Sequence, residues 1–148
     1  MFVYTEKSIF ENDESIILKK KKYTGEMNVH FHEFVEIVYV FSGSVTHIIN
    51  GEKYEVERGN MIFIPVGSTH DITDSKAVSF AEILIKKDVF DIILEEFKKE
   101  KLVAVEEFEG SYMPHTISFF AGGVRHKIET IIQEMLTDNL NYRAFLDY

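Results

Sequence analysis

Three histidines and one glutamate stand at spacings that could gather them around a single point. Gly25 is followed after four residues by His30-Phe31-His32, then after three by Glu36, and after six more by Gly43. A second segment runs from Gly59 through five residues to Pro65-Val66-Gly67, and two residues later reaches His70. Side chains alternate faces along a strand, so His30 and His32 point the same way. Glu36 shares their parity and joins them if the strand runs on or a neighbouring strand presents it. Three imidazoles and a carboxylate suit one divalent ion of the first row (Ni, Zn, Fe or Mn), with positions left open for water or a ligand. The same four residues also make a hydrogen-bonded pocket floor without metal, and their spacing leaves both open.

Short strands must position these groups. Phe34 to Phe41 is a dense apolar run interrupted only by Glu36, and Ser42-Gly43 is expected to break it. Ser44 to Ile49 is the next strand, and Asn50-Gly51 is a hairpin signal because both residues tolerate positive φ. Lys53 to Glu57 returns, Arg58-Gly59-Asn60 turns, and Met61 to Ile64 ends at Pro65. His70 to Thr73 and Val78 to Ile85 are two further strands. Strands separated by turns every eight to twelve residues or so point to a sandwich or barrel.

The period then changes. Asp88 is placed to cap a helix near 88–100 with Val89, Phe90, Ile93, Leu94 and Phe97 on one face. A less regular segment follows, with a strand near Thr116 to Phe120 and a break at Gly122-Gly123. From there Val124, Ile128, Ile131, Ile132 and Met135 form the apolar stripe of a second helix, and Asn141 to Tyr148 begins another. The division expected is a barrel over 1–122 and a helical segment over 123–148, the latter cut short within a longer protein.

Composition limits the classes of function. The chain has 148 residues, 45% of them apolar and 14% aromatic, enough for one domain with a real core. With no cysteine there is neither a disulfide framework nor a thiolate metal site, and a reducing compartment is expected. No signal peptide is visible at the N-terminus, and no apolar stretch reaches the roughly 18 residues a membrane span needs. Net charge is −9, from 25 acids and 16 bases, which makes the domain a poor binder of DNA phosphates by itself. The basic run Lys19 to Lys22 fits a solvated edge strand or loop better than a phosphate patch.

The two His-bearing segments resemble the two characteristic motifs of cupins over residues 25–74. The first Gly-to-His spacing is four rather than five, and Asp74 stands where the motif ends in Asn. The resemblance implies a mainly β double-stranded β-helix, or jelly-roll barrel, followed by C-terminal helices. It maps His30, His32, Glu36 and His70 onto the metal ligands of metal-binding cupins. A narrower resemblance covers His30 to Ile72, FAEILIKKDVF at 80–90 and the last 21 residues from Ile128. These look like the ligand-binding domain of AraC-type transcription regulators. That implies a cytoplasmic homodimer, a small-molecule effector such as a sugar in the barrel, no catalysis, and DNA contact only through a further C-terminal domain. The stripe from Val124 to Met135 would then mediate dimerisation, or dock on its own barrel.

Other residues have plainer expectations. His47 is a surface or packed histidine, or else a pocket contact. Glu82, inside an apolar strand, faces solvent, or else hydrogen-bonds a polar ligand. Phe34, Val38, Tyr39 and Phe63 are core residues, and His115 and His126 belong to the surface or an interface. The competing functions are a metal-dependent cupin enzyme, such as a dioxygenase or sugar isomerase, and a binding cupin with no DNA partner.

Overall fold

A computed structural model describes residues 2–11, 13–100 and 115–147. The elements in order are β1 (Phe2–Tyr4), α1 (Glu6–Ile9), β2 (Ile16–His32), β3 (Val35–Ile49), β4 (Glu52–Glu57), β5 (Asn60–Ile64), β6 (Thr69–Ile85), α2 (Lys87–Lys99), β7 (Thr116–Phe119) and α3 (Gly122–Asp147). One seven-stranded sheet runs β1-β2-β6-β3-β5-β7, with β4 also on β3.

Three long strands dominate, and all three break register at the same level. The first half of β2 pairs the last half of β6, and its second half pairs the first half of β6. The same exchange joins β6 to β3. Register shifts fall between Tyr23 and His30 in β2 and between Val40 and Thr46 in β3. Positive φ occurs at this level in each strand, at Gly25, Gly43 and Ala77. Such bulges sharpen twist and fold each strand across its middle, so the two halves of the sheet close over one interior. The expected break at Ser42-Gly43 is therefore a bulge within a continuous strand, and the two expected strands at 70–73 and 78–85 are one.

The interior is aliphatic: Val40, Val45, Ile49, Val56, Ile62 and Val78 are among its most buried members. The 34–41 run is apolar on both faces because both are covered. Val38 and Val40 face inward, while Tyr39 packs outward with Ala81, its ladder partner, under Ile132 and Leu136 of α3. The Asn50-Gly51 hairpin is present, with φ of 50° and 83°. α2 begins after Lys86, so Asp88 lies inside its first turn, and its carboxylate accepts from the Val89 amide. The helix expected to restart at Asn141 is instead a continuation of α3. The less regular segment expected before Thr116 lies outside the described residues for 101–114.

At Gly43 the backbones of β3 and β6 approach closely. A Cβ there would sit 2.7 Å from the carbonyl oxygens of Lys76 and Ala77 and from the Val78 Cα, all backbone, at a φ of +80°. Gly25, at φ +107°, has nothing within 4 Å of a built Cβ. Gly43→Ala is expected to cost more than about 2 kcal/mol and Gly25→Ala about 1 kcal/mol. Urea denaturation checks both, and equal midpoints would remove the close approach as a constraint on the fold.

Candidate functional site

β2 brings His30 and His32 to the interior just before its end, and the tight connection through Glu33 and Phe34 hands the chain to β3. Glu36 is thus delivered by a neighbouring strand. His70 enters from β6, opposite His30 in the ladder, and Gly67, with φ of 83°, makes the turn before it. His30, His32, Glu36 and His70 are all buried.

Hydrogen bonds fix the rings. His32 donates from Nδ1 to the Phe34 carbonyl at 2.8 Å and from Nε2 to Glu36 Oε2 at 2.7 Å. Its ring also stacks flat on Phe34, with centroids 4.5 Å apart. Both ring nitrogens face acceptors, an arrangement that favours the imidazolium against a carboxylate. Burial opposes its charge, but the hydrogen bond and field of Glu36 prevail and its pKa is raised. Burial likewise pushes the Glu36 carboxyl up, yet the His32 hydrogen bond and the histidine fields hold it below the usual range. His70 Nε2 stands 3.1 Å from His32 Nε2 and 3.4 Å from Glu36 Oε2. Behind it, His47 Nε2 lies 3.1 Å from His70 Nδ1. Burial drives His70 down to about 3 and His47 to about 4, so both are neutral near pH 7.

His47 and Glu82, which the sequence left on either side of the wall, both face the cavity. The Gly43 bulge explains His47: inward positions in β3 are even up to Val40 and odd from Val45. Glu82 shares the parity of Val78, Phe80 and Leu84 and is 9% exposed, so its solvent-facing reading is overturned. Protonated, it donates a hydrogen bond to Glu36; ionised, it pairs with Lys21 Nζ at 3.2 Å. Burial and the Glu36 charge raise its pKa to about 7.

The cavity holds about 140 Å³. Its floor is the polar cluster, and its walls include Val38, Val45, Ile62 and Ile72. Sequence reasoning missed the N-terminal arm that closes one side. Tyr4 and Ile9 line the cavity, Tyr4 sits edge-on to His30 at 5.2 Å, and Phe10 packs on Phe34. The one signal was Thr5, whose hydroxyl caps α1 with Ser8 in a reciprocal box. Phe34 and Val38 are both core and lining, as is consistent with an aliphatic cavity. His115 is half-buried against the Tyr54 hydroxyl, and His126 is exposed.

Donor atoms of His32, Glu36 and His70 lie within 4.8 Å of one another. Ligand atoms at zinc bonding distance stand roughly 3.3 Å apart in a tetrahedron, so separations of 2.7–3.4 Å fit an ion with little movement. The Phe34 carbonyl holds His32 Nδ1 and leaves Nε2 for a metal. His30 stands beside the group, its ring 4.1 Å from that of His70, with Nδ1 donating to the Asn28 carbonyl.

Residues 16–84 match the cupin domain family. Over those residues the barrel is similar to cupin domains. The chain is 26% identical over 72 residues to the HTH-type transcriptional activator RhaR of Salmonella arizonae, covering 48% of this chain and 26% of that protein. It is 28% identical over 82 residues to RhaR of Mannheimia succiniciproducens, covering 55% and 30%. The chain thus spans under a third of those relatives. Among solved structures, a cupin-2 domain containing protein from Shewanella frigidimarina shares 23% identity over 53% of this chain and 76% of that one, with a TM-score of 0.46. The polyketide cyclase RemF from Streptomyces resistomycificus shares 27% over 49% and 55%, with a TM-score of 0.44.

A divalent ion entering this site must displace the His32 Nε2 proton. Affinity for Zn or Ni is therefore expected to rise about tenfold per pH unit through the raised His32 pKa and to flatten above it. His70→Ala should weaken binding far more than His30→Ala. Chelator competition between pH 5.5 and 8.5 checks both, and a flat profile or equal variants would exclude this ligand set.

Proposed function

We propose that this chain is the effector-sensing and dimerisation half of a transcription regulator, acting in the cytoplasm. Its cavity takes a small polar molecule, with hydroxyl-rich ligands of the sugar class suited to His32, Glu36, His70, His47 and Glu82. One observation carries this reading: a hydrogen-bonded polar cluster floors an otherwise aliphatic cavity, in a chain homologous to HTH-type transcriptional activators. Paired donors and acceptors inside apolar walls orient a ligand and give specificity. DNA contact is assigned to a separate domain, because a net charge of −9 repels phosphates.

The dimer element is α3, and its stripe divides. Ile132 and Leu136 are buried against Tyr39 and Ala81 of the barrel. Val124, Ile131 and Met135 stay 43–56% exposed, with Ile128 between the two faces. Val124, Ile128, Ile131 and Met135 repeat at steps of four, three and four, the spacing of a seam between two helices. Glu129 ties this helix to the barrel, accepting from the Tyr39 hydroxyl at 3.0 Å and from Arg58 at 3.0 and 2.8 Å.

His32, Glu36 and His70 would hold a divalent ion, which would offer a Lewis-acidic contact to a ligand oxygen. That same fit favours the second reading, a metal-dependent cupin enzyme.

One preparation tests the sensor reading. A polyol and hydroxy-acid screen by thermal shift is expected to yield a stabiliser that is lost in His32→Ala and recovered chemically unchanged after prolonged incubation with metal. Sedimentation is expected to show a dimer that Ile131→Asp with Met135→Asp converts to a folded monomer. Conversion of the ligand would move the chain to the enzyme reading, and a monomeric wild type would remove α3 as the dimer element.

A further inference from the structure

We infer that the ligand of this cavity carries a carboxylate, as a small hydroxy acid does, rather than being a neutral sugar. The inference rests on the barrel interior being the binding site, and it comes from the lysines of β2.

Alternation along β2 divides the run Lys19 to Lys22. Lys20 faces outward, its Nζ 5.0 Å from the Phe41 ring centroid, whereas Lys19 and Lys21 line the cavity. The cavity's charges can then be matched. His32 answers Glu36, and Lys21 answers Glu82. Lys19 is left over. It lies opposite Glu82 in the ladder, but the Glu82 carboxyl is engaged by Lys21 and Glu36. Among the described residues no acid stands within ion-pairing distance of Lys19.

A neutral ligand would leave that charge unanswered. A carboxylate answers it, and the aliphatic walls beside it strengthen the attraction by lowering the local dielectric. Volume limits the acid, since a cavity of about 150 Å³ admits a molecule of roughly benzene size, close to the 140 Å³ here. Acids of three or four carbons meet that bound. Their hydroxyl or keto oxygen would face the histidine floor while the carboxylate faces Lys19.

Calorimetric titration and thermal shift with matched probes test this: glycerate against glycerol, lactate against propane-1,2-diol, and pyruvate against hydroxyacetone, with inorganic phosphate as a control. At least one acid is expected to bind about tenfold or more tightly than its neutral partner. Lys19→Met should remove most of that preference, Lys19→Arg should keep it, and His32→Ala should abolish binding. Lys19 is exposed, so its replacement leaves the core intact. A neutral probe that binds as well as its acid and still requires His32 overturns the carboxylate inference and leaves the cavity standing. Acid binding that ignores both Lys19→Met and His32→Ala places the site elsewhere and overturns both. The absence of any acid effect at about 10 mM overturns the inference, as would tighter binding of phosphate.

Discussion

Charge placed inside an aliphatic barrel must be answered within hydrogen-bonding reach, because a lone ion there costs several kcal/mol. Here the answer is a chain of contacts. It runs from the Phe34 carbonyl through His32, Glu36 and Glu82 to Lys21 at the solvent edge. Each member sets the protonation of the next. Glu36 raises the pKa of His32 against its burial, and burial together with the Glu36 charge pushes Glu82 toward its protonated form. His70 and His47, further from the acids, lose theirs. The stability that follows has a window. The His32 contribution is lost as pH rises through its elevated pKa. The neutral pair His47 and His70 costs stability as pH falls below their ordinary value of 6.5.

The backbone makes this chain of contacts possible. Three strands fold at one level, and Gly43 lets β3 and β6 touch there. The bend reverses the inward parity of β3, so Glu36 before it and His47 after it reach the same interior. One element thereby supplies both a ligand-bearing acid and the imidazole that backs His70. Outside the same strand, Tyr39 links the barrel wall to α3 through Glu129, so the residue between two cavity-lining valines is also the helix anchor.

How much of this was legible in the sequence follows from the range of each signal. Asn50-Gly51 named its hairpin because turn chemistry is local. His30, His32, Glu36 and His70 stood out because their spacing is short within each segment. The bulges were invisible: Ser42-Gly43 has the composition of a chain break, and only the pairing of β3 with β6 keeps it in the sheet. His47 and Glu82 were left open between surface and pocket for different reasons. Parity counted across the bulge sends His47 outward. The price of an isolated carboxylate hides that Lys21 and Glu36 are waiting for Glu82. The stripe on α3 was legible as apolar, but its division between Ile132 on the barrel and Ile131 in solvent depends on where the helix docks. The arm through Tyr4 and Phe10 has too few residues to show a period.

The protonation pattern is the most direct measure of the buried cluster. Long-range nitrogen–proton correlation spectra of the imidazoles at pH 7 should show His32 with protons on both nitrogens. In the same spectra His47 and His70 should be neutral and should remain so well below pH 6. His47 and His70 titrating near 6.5, or a neutral His32, would contradict the ion pair on which the rest of the site is built.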